Sequence, residues 1–458
     1  MLRIGYAVAD ITPKVGLTLS GFASRCDRPS EAIDDPLEAH VLIADSGEGP
    51  VLLAVFDLLA LGPEVTEALH RALDAAVAVP RDRRILACTH THSAPAAITL
   101  LGCGTMDPTY LRRVVERTTL AAREAEAAMR PATLRIAAAP VTGVSYYRRT
   151  LAADGGVSMA ADADGARGPT WDAMRLVRCD DDAGQPIVTL LHWACHPVTR
   201  GALAVTADLP GAIRRQFTAA HGLPACFIQG AAGDINPTAF GQSCAQLRAL
   251  AADIVAQLGD IAWSEPVANP RCAMVTRTCD LGYAPPLPLA ALDAWAAGMR
   301  AIAEGGDGPA DAAAVLHGFF GTRAGEAFAP RHRHIARALA AWAEIAGARL
   351  RMEPAPTCAA RLSVWRLGPL VWCAIPAETF VETAFALREA FLGAMVEVLA
   401  YAAPLIGYLP TDAAIDQGGY EVADAYRYYA HPAVFAKGSE PAVRAALLEM
   451  LTALGPWS

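Results

Sequence analysis

The sequence predicts an α/β protein with a mixed, partly parallel central sheet flanked by helices, and three features of the 458-residue chain predict it. Val51–Leu58, Pro63–Val77 and Arg84–Cys88 read as strand, helix, strand, the unit that lays two parallel strands beside one helix. Ile187–Cys195 and Ala225–Gln229 are unbroken apolar runs, as expected of strands covered on both faces. Hairpin signals break the parallel pattern. Ser46-Gly47-Glu48-Gly49-Pro50 separates His40–Asp45 from Val51–Leu58, and Gly368-Pro369 separates Ala359–Leu367 from Leu370–Ile375.

The remaining elements follow in order. Ile4–Ile11 reads as a strand that ends at the turn Thr12-Pro13, and Gly21–Pro36 as a polar loop. Asp107–Ala128 has the periodicity of a long amphipathic helix, while Thr133–Val144 and Met174–Cys179 alternate as strands. Pro210–His221 and Cys244–Leu258 are expected helices, separated by the glycine-rich loop Gly230–Pro237. Between about 285 and 350 the chain turns alanine-rich and helical around Gly305-Gly306-Asp307-Gly308-Pro309. The strand pattern resumes afterwards, so this stretch reads as a helical insertion and residues 1–458 as a single domain. Pro376–Leu392 is expected as a helix and Val396–Ala402 as a strand.

Composition narrows the function classes. Apolar residues make up 53% and charged residues 19%, too apolar for disorder. Apolar stretches are interrupted by Arg, Asp, Glu or Pro before the ~20 residues that a membrane span requires. The net charge of −9, without any basic block, argues against a nucleic-acid partner. Eleven scattered cysteines without a CxxC read as reduced core thiols, and the N-terminus shows no signal-peptide pattern, so the expected compartment is the cytoplasm.

The chemistry concentrates where strands end. His90-Thr91-His92-Ser93 follows Arg84–Cys88, and in an extended chain the two imidazoles project the same way. The end of a strand is where open α/β sheets bind ligands. His196-Pro197 follows a second apolar strand, and two such sites converging on one centre suggest zinc. Glu378 stands at a third strand-to-helix junction, where spacing alone favours reading it as a first-turn helix glutamate stabilised by the macrodipole. Tyr408 follows a fourth strand and reads locally as core or rim. The loop Gln229–Pro237 carries Asp234 and Asn236 among small residues but lacks the spacing of a nucleotide cradle.

These pieces resemble the neutral/alkaline ceramidase family. Ile11-Thr12-Pro13, Thr89-His90-Thr91-His92-Ser93-Ala94-Pro95, His196-Pro197, Gly233-Asp234-Ile235-Asn236-Pro237, Pro376-Ala377-Glu378, Tyr408-Leu409-Pro410-Thr411 and Gly419-Tyr420-Glu421 occur in that family's order. The resemblance implies zinc ligands His90, His196, Glu378 and Tyr408, with His92 as general acid/base. It implies that Arg148 and Tyr420 lie near the substrate, and that Asn236 occupies the position of an active-site serine. Neither the family's secretory signal nor its immunoglobulin-like C-terminal domain is expected here, two departures from the family's pattern. The expected activity is zinc-dependent hydrolysis of a linear amide (N-acyl) bond in a soluble small molecule, with a zinc-activated water as nucleophile. A zinc esterase, another zinc hydrolase and a non-catalytic metal-binding homologue are the alternatives.

Overall fold

The computed structural model describes residues 1–151, 156–159, 168–320, 322–323 and 325–457. Its centre is an eight-stranded mixed sheet. Across it the order is Ala225–Gln229, Pro186–Trp193, Ala173–Asp181, Arg130–Pro140, Arg3–Asp10, Glu38–Asp45, Val51–Phe56, Arg84–Cys88. Parallel pairing occurs at the two margins, between Val51–Phe56 and Arg84–Cys88 and between Pro186–Trp193 and Ala225–Gln229. The inner pairs are antiparallel.

Apolar alternation along these strands sends side chains into different layers. Leu86 and Cys88 pack with Val65 and Leu69 of the helix Pro63–Asp74, whereas Ile85 and Ala87 face the opposite side. There they meet Trp365, Trp372 and Leu399 of a second, four-stranded sheet. That sheet runs Cys272–Gly282, Thr357–Leu367, Leu370–Ala374, Met395–Leu399. Its far face, including Val364, Val371 and Cys373, packs against Leu387 of the helix Val381–Ala390 and Val443 and Leu447 of the helix Ser439–Ala453. The result is four layers, helices, sheet, sheet, helices, in which strands such as Val51–Phe56, Arg84–Cys88 and Leu370–Ala374 are buried on both faces.

The sequence does not separate this second sheet from the first. Its outer strand Cys272–Gly282 is half exposed and rich in Thr and Arg, so it lacks the apolar run that marks the others. It pairs with Thr357–Leu367 across three intervening helices, Leu289–Ala303, Ala310–Phe320 and Pro330–Met352. Residues 321 and 324 of the expected insertion lie outside the described residues. Among the described residues no helix is long and apolar enough to cross a membrane.

Two boundaries differ from expectation near the chemistry. The helix expected from Pro376 begins at Val381, and Glu378-Thr379 instead forms a short strand. Phe380 is extended, at φ −74° and ψ 151°, which delays the first helical turn. The strand expected to reach Ala402 ends at Leu399. Beyond it the backbone leaves the small sheet and bonds to the large one: Ala400 N donates to Gln229 O (3.1 Å), Cys88 N to Tyr401 O (3.1 Å) and Ala403 N to Leu86 O (2.8 Å). Residues 400–403 thus join the two margins of the large sheet, which has curled until its outermost strands face each other.

Candidate metal centre

That closure brings the two strand-end histidines together. His90 Nε2 lies 3.2 Å from His196 Nε2 and 3.1 Å from Glu378 Oε2, and His196 Nε2 lies 3.7 Å from the same carboxylate oxygen. All three side chains are buried. His90 does not continue the strand as an extended residue. Its φ is +67°, in the left-handed region, while its N–H donates to Leu58 O (3.0 Å). Simple alternation therefore does not explain why His90 and His92 converge. The turn at His90 sets the two rings edge to face, with Nε2 atoms 3.3 Å apart.

The hydrogen bonds behind the rings fix their tautomers. His90 Nδ1 lies 2.8 Å from Leu59 O, and His196 Nδ1 lies 2.9 Å from Ala232 O. A carbonyl oxygen only accepts, so each Nδ1 carries the proton and each Nε2 presents a lone pair. Two lone pairs and a carboxylate oxygen then face one another in a buried space. Glu378 Oε2 is itself without a hydrogen-bond partner. A cation at their common centre relieves all three groups. The edge of a tetrahedron of zinc ligands is about 3.3 Å for bonds near 2.0 Å, so the observed spacing fits such an ion.

Burial, followed by Arg148, holds His196 well below the usual imidazole value, and burial, followed by His90, does the same for His92. Neutral imidazoles are the form a metal requires. Burial works to raise the Glu378 carboxyl, but its polar neighbours, the Tyr429 hydroxyl and the Arg148 cation among them, keep the group below its ordinary value.

The glutamate is placed by its short strand. Glu378 and Thr379 pair in parallel with Tyr408 and Leu409, so Glu378 and Tyr408 are direct register partners. Gly233 N donates to Thr379 O (2.9 Å), and a Cβ on Gly233 would come within 2.8 Å of Glu378 O. Small residues in the loop are thus required by the close approach of the glutamate's backbone. Tyr408 Oη accepts from Arg148 Nη2 (2.9 Å), and Arg148 Nε also bonds Glu421 Oε1 (2.9 Å). Tyr420 stands with its ring 6.1 Å from that of Tyr408.

Asn236 is buried in a three-residue strand opposite Tyr146, and its Oδ1 lacks a hydrogen-bond partner. Asp234 accepts from Val381 N (3.0 Å) and so braces the helix after Glu378. Asp208 caps backbone N–H groups of Thr199, Arg200 and Leu209. Burial pushes its carboxyl up to about 6.

His92 lines the floor of a cavity of about 150 Å³ together with His90, Glu378, Tyr408 and Tyr429. Phe22, Leu59, Leu100, Cys103, Tyr420 and Tyr428 form its walls. His92, His90 and His196 also qualify as a cluster whose donor atoms all lie within 4.8 Å of one another. Several contributors carry no signal in the sequence. Tyr429 Oη donates to Glu378 Oε1, Tyr401 stacks on His90 with centroids 4.1 Å apart, and Arg25 donates to His92 O and Ser93 Oγ.

The layers described above are those of the neutral ceramidase fold. The solved neutral ceramidase from Pseudomonas aeruginosa aligns with a TM-score of 0.69 over 99% of this chain and 74% of that one, at 17% identity. A solved ceramidase complexed with C2 aligns with a TM-score of 0.67 over 99% of this chain and 75% of that one, at 16% identity. At such identity the likeness is one of fold. No protein-family model and no curated protein matches the sequence.

Proposed function

We propose that the protein is a zinc-dependent amidohydrolase acting on the linear N-acyl bond of a small soluble molecule. The observation that carries this reading is the pair of unprotonated Nε2 atoms, 3.2 Å apart, facing the unpartnered Oε2 of Glu378. His90, His196 and Glu378 would hold the ion, with the Tyr408 phenol beside them. A bound zinc ion supplies Lewis acidity toward a carbonyl oxygen and lowers the pKa of water at its open position to about 7.

The chain's own residues supply the rest. His92 presents Nε2 beside the centre and is the group that takes a proton there and returns it to the departing amine. Arg148 donates to Tyr408 Oη, so the cationic guanidinium and the phenols of Tyr408 and Tyr420 surround the place where negative charge would grow on the carbonyl oxygen. Loss of one such donor typically costs about 100–1,000-fold in rate. Asn236, whose Oδ1 is unsatisfied, would accept a substrate N–H only if the substrate reached beyond the residues that line the cavity.

The size of the cavity supports a small substrate. A volume of about 150 Å³ is well below the roughly 300–1,000 Å³ usual for drug-sized ligands, and closer to what benzene occupies. Its apolar and phenolic walls suit a short uncharged acyl group.

The test is zinc analysis combined with turnover on N-acyl amines and the matching esters. His90→Ala and His196→Ala should lose both zinc and activity. His92→Ala should keep the metal and lose turnover. Stoichiometric zinc in His90→Ala protein contradicts the ligand set, and faster cleavage of esters than of amides redirects the reading to an esterase.

A further inference from the structure

Gln229 closes the marginal strand Ala225–Gln229, and its side chain is buried. Its Nε2 donates to Thr89 O (3.1 Å) and to Cys195 O (2.9 Å), and its Oε1 accepts from Cys195 N (3.3 Å). Both amide protons and the oxygen are therefore used. Thr89 and Cys195 are the residues immediately before His90 and His196. Each carbonyl so gripped belongs to the peptide plane that leads into an imidazole-bearing residue. Holding that plane fixes the direction of the histidine's N–Cα bond, and leaves φ as the one rotation between that plane and the ring-bearing carbon.

At His90 this rotation has an unfavourable value, φ +67°. A left-handed conformation costs a residue other than glycine on the order of 1–3 kcal/mol unless its surroundings impose it. The backbone N–H groups of the two histidines bond elsewhere, to Leu58 O and to Ile235 O, on separate elements. Neither contact refers one imidazole to the other, whereas Gln229 touches the root of both. We infer that Gln229 is a positioning residue that sets the separation of the His90 and His196 Nε2 atoms for the metal. This assignment rests on the reading of the centre as a zinc site.

Gln229→Met keeps length and burial but surrenders all three bonds. Gln229→Glu keeps the shape but turns a carboxylate toward two carbonyl oxygens. The measurements are zinc affinity by chelator competition on folded apoprotein and the d–d absorption of the cobalt-substituted protein. A supporting partner of a metal ligand is commonly worth about 10–100-fold in affinity, and a loss in that range with an altered cobalt spectrum is expected for both variants. Leu250→Ala, in the buried face of the helix Cys244–Leu258, serves as a control that lowers stability while leaving affinity and spectrum unchanged. If Gln229→Met does not fold, Gln229→Asn, whose amide is one methylene short of spanning both carbonyls, takes its place with the same expectation. A folded Gln229 variant with wild-type affinity and an unchanged cobalt spectrum overturns the assignment. Failure of the wild-type protein to bind zinc overturns the metal reading itself and the assignment with it.

Discussion

His90 meets three demands at one position: a left-handed backbone, an Nδ1 proton held by Leu59 O, and a bare Nε2 turned toward His196 and Glu378. Its neighbour His92 depends on a residue far less conspicuous. Gly21 has φ +100°, and a Cβ there would come within 2.5 Å of His92 Nδ1. Gly21→Ala should displace the His92 ring without touching the ligands. The expected outcome is a loss of kcat approaching the roughly 100–10,000-fold that general acid–base catalysis contributes, at unchanged zinc content. Kinetics alongside metal analysis check it, and normal turnover would remove His92 from proton transfer. The sequence singles out His90, His92 and His196 because each stands in a local pattern of strand end and turn, whereas Glu378 and Tyr408 stand out only through the resemblance of their motifs. Tyr429 stands in no motif, and Glu421 and Gln229 stand in motifs that do not reveal what their side chains touch. Their partners lie 51, 273 and 140 residues away, and only chain closure makes them neighbours.

At the scale of single elements, strands buried on both faces were readable to within a residue or two. Arg84–Cys88 and Ala225–Gln229 are each a single apolar run ended by a polar residue or glycine. Cys272–Gly282 was not readable, because one of its faces is partly solvated and its pairing is decided across the inserted helices. The start of the helix after Pro376 was misplaced because backbone pairing with Tyr408 outcompetes the helical propensity of Ala377 and Glu378.

The helix Pro63–Asp74 carries its own pH dependence. His70 is buried in its inward face, and burial, reinforced by Arg361, Arg84 and Arg81, lowers its pKa to about 4. An imidazole lowered on folding stabilises the native state above its unfolded pKa, near 6.5. That stability is lost as pH falls toward the folded value. Denaturation midpoints should therefore decline between pH 7 and pH 4, and the decline should be shallower in His70→Gln. Equal slopes in the two proteins would show that His70 does not titrate with unfolding.

For the whole molecule, the centre links four stretches of chain that are remote in sequence: the loops after Cys88 and Trp193, the short strand at Glu378 and the segment at Tyr408. An ion that binds only when they are assembled stabilises the native state by mass action, by about 4 kcal/mol when free zinc exceeds its dissociation constant a thousandfold. Chelation should lower Tm by several degrees, and His92→Ala should show the same zinc-dependent shift as wild type. Calorimetry with and without chelator decides it, and a Tm indifferent to zinc would remove the ion from the folded structure.

The curl of the large sheet has a kinetic consequence. Because residues 400–403 and Gln229 bridge its outermost strands, an ion held by His90, His196 and Glu378 would sit on a seam between them. Opening of that seam, which breaks main-chain bonds on both sides, would draw the two imidazoles apart. Loss of an ion by that route would then depend on how the sheet is rolled as well as on the individual donors.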